Sequence, residues 1–128
     1  MIGKLFEYLR DNVSTAGKKV FTNYAPNIDP VTETTLVPPY IVINKISTQR
    51  FYKQDGISNL VRYRVQISIY DDSYATLDSV IKDVVEKMEA WTDGNVQAAF
   101  NVNELDMYDE RAGLHHCPLD YFIWYEEN

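Results

Sequence analysis

The chain has 128 residues, 45% hydrophobic, 24% charged and 13% aromatic, with one cysteine and a net charge of -7: a single domain, 1–128, too short for two. A domain of this size buries roughly two-thirds of the surface its unfolded chain exposes, so it needs no covalent staples. Cys117 by itself excludes an internal disulfide and a Cys-based zinc cluster, and the acidic balance argues against non-specific nucleic-acid binding, which rests on Lys and Arg.

Charge is segregated along the sequence. Residues 1–70 carry nine Lys/Arg and five Asp/Glu, whereas residues 71–128 carry three and fourteen. Such asymmetry serves either a solvated acidic surface or a basic-to-acidic meeting of copies. Lys4, Glu7, Arg10 and Asp11 interrupt the first apolar stretch, so no signal peptide is expected. No apolar run approaches the roughly 18 residues that span a bilayer, and no membrane partner is expected.

In chain order, Ile2, Leu5, Phe6, Leu9 and Val13 recur at helical spacing and predict a short amphipathic helix over about Gly3–Ser14, stopped at Gly17. Val20 and Phe21 start a short strand. Four prolines between Tyr24 and Pro39 exclude helix and central strand there, leaving a long loop read as a contact arm. Tyr40–Ile46 is a β-branched strand, and Val61–Tyr70 is a second with five apolar residues alternating with mostly polar ones. Asp55-Gly56 marks a turn between them, so Gln49–Leu60 is expected as a projecting hairpin tip carrying Phe51, Tyr52 and Lys53.

Ser73 is the expected N-cap of the strongest helix, whose apolar face runs from Leu77 to Trp91 and which Gly94 should end. Phe100 and Val102 share one parity and Leu105 and Met107 the other, so the next strand either bulges near Asn103-Glu104 or begins after it. Gly113 turns the chain into a last strand, Cys117–Tyr125. The predicted fold is α+β, a mainly antiparallel β-sheet with two helices packed on one face, in the order α-β-β-β-α-β-β.

No motif carries catalytic chemistry. In His115-His116-Cys117 adjacent side chains point to opposite strand faces, so only His115 and Cys117 share a side, and no further metal ligands or orienting groups stand at recognisable spacing. The carboxylate pairs Asp71-Asp72, Asp109-Glu110 and Glu126-Glu127 read as a helix start, a turn and a solvated tail. Phosphate-cradling glycine patterns are absent. Catalytic, metal and cofactor sites are therefore all predicted as none.

Ten Tyr, five Phe and two Trp remain, an aromatic content suited to interfaces. On the last strand Leu119, Tyr121, Ile123 and Tyr125 take one face, expected to join Val65 and Ile67 in the core. Phe122 and Trp124 take the other, to be covered by a second layer or another protein chain, or by the Tyr24–Pro39 loop of the same chain.

The short N-terminal helix, the proline loop ending VPPYIVI, the block RYRVQISIYDDSYATLDSVIKDVVEKM and the closing LDYFIWY resemble the tail terminator (tail completion, or minor tail) proteins of long-tailed bacteriophages and prophages. The resemblance implies a non-enzymatic subunit of the virion, assembled in the host cytoplasm. It implies a ring, usually hexameric, on the last ring of the tail tube protein, halting polymerisation and offering a surface to a head completion or connector protein, with DNA only passing through the lumen. An acidic lumen would suit that passage. The interface candidates are Phe51, Tyr52, Lys53, Phe122 and Trp124. Another head–tail joining ring protein is the near alternative, and a ligand-binding or enzymatic α+β domain dimerising through its sheet is the distant one.

Overall fold

The computed structural model describes residues 1–30, 32–53, 56–92 and 94–127, excepting the side chains of residues 53 and 56–58. Helix α1 is Ile2–Asn12, followed by one 3-10 turn at Ser14–Ala16. Leu5, Leu9, Val13 and Ala16 form its buried stripe. Gly17 ends the turn at φ 59°, a left-handed conformation that costs glycine nothing.

Strands β1 (Val20–Thr22), β2 (Tyr40–Lys53) and β3 (Gly56–Asp71) precede helix α2 (Tyr74–Glu89); β4 (Val96–Glu104), β5 (Met107–Asp109) and β6 (Leu114–Glu126) follow it. The sheet order is β1-β2-β3-β6-β4, with β5 also on β6. All pairings are antiparallel except β1 with β2. The expected α+β class and order hold. The expected strand after Gly94 resolves into two, β4 with a register shift between Asn101 and Asn103, and β5 beyond Leu105-Asp106.

The physical cause of that break lies on β6. Pro118 pairs Ser68 on one side, while its carbonyl accepts the Leu105 amide at 3.4 Å on the other. The N–H and C=O of a strand residue point to the same side, so the edge strand meets a position that accepts but cannot donate.

Both helices cover one sheet face. Ile41, Ile43, Val65, Ile67, Ile69, Cys117, Leu119, Tyr121 and Ile123 are buried beneath α1 and α2, as the alternation predicts. Tyr8 stacks on Trp91 with ring centroids 5.8 Å apart, and its hydroxyl donates to the Lys87 carbonyl at 2.6 Å. That tie satisfies a last-turn carbonyl of α2, which ends at Glu89 rather than near Gly94.

Ser73 occupies the N-cap position without capping through its side chain. The buried Asp71 carboxyl accepts the amides of Asp72 at 2.8 Å and Ser73 at 3.4 Å and so fixes the turn that leads into the helix. The Tyr24–Pro39 segment is not featureless: Ile28 bridges Thr35, and Asp29 and Thr34 are joined by a 2.8 Å backbone bond.

Candidate functional site

The open face of the sheet is built by a bulge. In β2, Ile41 and Ile43 lie over the core, but the register slips between Lys45 and Ser47. The extra residue, Ile46, reverses the parity of the residues that follow it, up to a second register shift between Arg50 and Tyr52. Ser47 and Gln49 therefore fall opposite Arg64 and Arg62 on the helix-free side. The β2–β3 ladder continues to Lys53↔Gly56, whereas β6 stops pairing β3 at Leu60↔Glu126. Gln49–Leu60 is thus mostly strand, and its end projects as a two-stranded ribbon. The expected Asp55-Gly56 turn includes residues outside the described set, and so does the Lys53 side chain.

Phe51 folds back from this ribbon onto Trp124, ring centroids 5.3 Å apart and planes 19° apart. The Arg62 guanidinium lies 4.6 Å from the Phe122 centroid and 5.7 Å from that of Trp124, and it donates to Gln49 Oε1. These cation–π contacts bind three strands into one half-exposed cluster. Phe100, paired with Phe122 across β4–β6, is 55% exposed beside it. Arg64 and Asp120 add a 3.6 Å ion pair. Tyr52 is 73% exposed.

Phe122 and Trp124 are therefore together on the open face, with Phe51 joined to them and Tyr52 apart. Sequence reasoning missed Arg62 as the organiser and Phe100 as a neighbour. The alternation of Val61–Tyr70 did place Arg62 opposite the core, but its partner rings depend on β6 lying next to β3.

At the other end of the same face, Tyr40, Tyr70 and His116 stack across β2, β3 and β6, with centroid spacings of 5.0 and 4.2 Å. Burial lowers the His116 pKa from its ordinary value. His115 contacts Tyr74 and Tyr108 instead, and burial pushes the Cys117 thiol up to about 11. Among the described residues no three His, Cys, Asp or Glu side chains converge as a metal site. A surface cleft of about 620 Å³ at the Tyr40 end is lined largely by Ala25–Ile28, Thr35, Leu36 and Ala112–Leu114; Tyr40 and Asp72 are its ionisable groups, with no nucleophile–base pair among the described residues.

The sheet also sorts the charges. Its order puts Lys45, Arg50, Arg62 and Arg64 of β2-β3 on one side and Glu104, Asp109, Asp120 and Glu126 of β4, β5 and β6 on the other, with Glu127 reaching back to pair Arg50 at 2.8 Å. Both margins are open strands. Beyond Ile43, β2 pairs only with β3, and β4 pairs only with β6 among the described residues. Residues 45–50 and 100–104 are exposed. Open margins of this length are templates for another chain.

The family model for tail completion protein gp17 matches residues 13–126. Curated protein sequences give no match. Among solved structures, a chain from the virion of a native gene transfer agent (GTA) particle superposes with a TM-score of 0.74 at 14% identity, over 95% of this chain and 91% of that one; at that identity the likeness is one of fold. With nearly its whole length matched by one family, this chain belongs to the tail completion protein gp17 family and is a structural protein of the phage tail.

Proposed function

We propose that the protein caps the tail tube as a ring, hexameric in the virion, ends polymerisation of the tube protein and presents its outer surface to a head completion or connector protein. The observation that carries this reading is the difference in charge between the two margins of one sheet, Lys45 and Arg50 on β2 against Glu104 on β4 and Asp109 on β5. A closed ring needs two different patches that fit one another, and opposite charge on opposite margins favours head-to-tail closure over a two-fold dimer. The role is one of binding and shape, without catalysis or cofactor. DNA passes through the lumen without being held. Assembly takes place in the host cytoplasm and the finished protein resides in the tail.

Within this reading the projecting ribbon, with Phe51, Tyr52 and Lys53, meets the tube or a neighbouring copy, and Phe122 and Trp124 lie in a contact between subunits. The test is electron microscopy of tubes assembled from the matching tube protein with and without this chain. Tubes of defined length bearing one ring at one end are expected. Unchanged tube lengths with bare ends would refute termination, and rings found only on head connectors would assign the chain to head–tail joining instead.

A further inference from the structure

We propose that adjacent copies join by strand addition: the free margin of β2, Asn44–Arg50, pairs antiparallel with the free margin of β4, Val96–Asn103, of the next copy. The proposal rests on the ring reading and specifies how the ring closes.

Direction comes first. The four long strands alternate, so β2 and β4 run in opposite senses at the two margins of each copy. Rotation about an axis lying along the strands preserves strand direction. Around such an axis, β4 of one copy therefore meets β2 of the next antiparallel, the more stable ladder per residue.

Height along the strands agrees. Following the pairings across the sheet, Asn44 shares a row with Asn103, Ser47 with Phe100, and Arg50 with Val96. The two unpaired stretches thus occupy the same rows and meet without an axial shift. The margins also interlock where they differ. On the basic side β1 occupies the rows of Ile41–Ile43. On the acidic side β4 ends at Glu104, in the row of Ile43, and β5 resumes at Met107, in the row of Tyr40. The neighbour's β1 is level with the end of β4 at Glu104 and with the unpaired step Leu105-Asp106 beyond it, where the acidic margin stops offering a regular ladder.

Charge completes the fit. In this register Lys45 and Glu104 are diagonal neighbours on the helix-bearing side, since their rows hold the buried Val65 and Tyr121, and Ile67 and Leu119. Diagonal cross-strand pairs of long side chains are within reach of one another. A second copy of this chain is therefore the occupant that direction, row and charge all select.

The test is disulfide trapping on tube-capped rings. Ser47→Cys and Phe100→Cys are placed together in one chain, so every closed contact carries one of each; both sites are exposed. Gln49→Cys with Phe100→Cys is the mismatched control. Thermal unfolding of the reduced variants checks that each folds. Oxidation is expected to give a non-reducing ladder reaching the full ring for the matched pair and none for the control or the single variants. Rings visible by microscopy without a ladder would overturn strand addition while leaving the ring intact, and a ladder from the control alone would overturn the register. If the unmodified chain forms no ring, free or on tubes, the ring reading falls and this contact falls with it.

Discussion

Phe51 and Trp124 stack at 5.3 Å although they belong to strands that β3 separates. The contact pins the projecting ribbon to the open face, while Tyr52 stays largely exposed at the tip. A double-mutant cycle with Phe51→Ala and Trp124→Ala should give a coupling of about 0.5–1.5 kcal/mol in denaturant unfolding; additive effects would show that the stack does not stabilise the fold. Tyr52→Ser should leave the unfolding midpoint unchanged and yield tails of abnormal length. Normal tails from that variant would remove Tyr52 from the contact with the tube.

The two faces of β6 should respond differently to truncation. Ile123 is fully buried, so Ile123→Ala should cost about 2–5 kcal/mol through lost burial and the cavity left behind. Phe122 is half-exposed under Arg62, and Phe122→Ala should cost under about 1.5 kcal/mol while impairing ring formation on tubes. Urea unfolding of the two variants checks the order of the losses.

Charge reversal probes the proposed margin contact independently of cysteine chemistry. Lys45→Glu should reduce ring occupancy on tubes, and adding Glu104→Lys in the same chain should restore it, with the single-variant defect deepening at low salt. Counting capped tube ends by microscopy reads the outcome. A double variant no better than the single one would break the pairing of these two residues.

Stability should fall at alkaline pH. Burial raises Cys117 from 9.0 to about 11, and burial followed by the bond to Glu127 raises Tyr63 from 10.0 to about 12. Burial also raises the Tyr121 pKa. Groups with a higher pKa when folded stabilise fully below their unfolded pKa and lose that contribution as pH climbs towards the folded value. The unfolding midpoint should therefore decline from about pH 9 to about pH 12. Tyr121→Phe should flatten the limb above about pH 10. It should also add about 1 kcal/mol at pH 7, because the buried Tyr121 hydroxyl has no hydrogen-bond partner among the described residues. An aromatic disulfide reagent should label Cys117 only after denaturation.

Much of this fold is local and therefore legible in the sequence. Strict alternation from Val61 to Ile69 set the buried face of β3, and the parity of Leu119–Ile123 separated Phe122 and Trp124 from the core. What sequence could not supply depends on neighbours. The bulge at Ile46 leaves no compositional mark, yet it decides that Phe51 faces Trp124. The turn into α2 is held by Asp71, bonded to the Asp72 and Ser73 amides, rather than by a Ser73 side-chain cap, because β3 delivers that carboxylate to the turn. Open margins are invisible until strand order is known, since nothing in VQAAFNVNE states that one of its sides lacks a partner.

The proline in β6 also bears on the protein before it reaches a tail. An uninterrupted edge from Val96 to Asp109 would be a long ladder with Phe100, Val102 and Met107 exposed along it, open to stacking of newly made chains. By withholding one amide hydrogen, Pro118 divides that edge into two shorter lengths, β4 and β5, and so limits the ladder that a stray chain could extend. The hydrogen whose absence ends β4 at Glu104 thus also shortens the edge on which stray chains could stack.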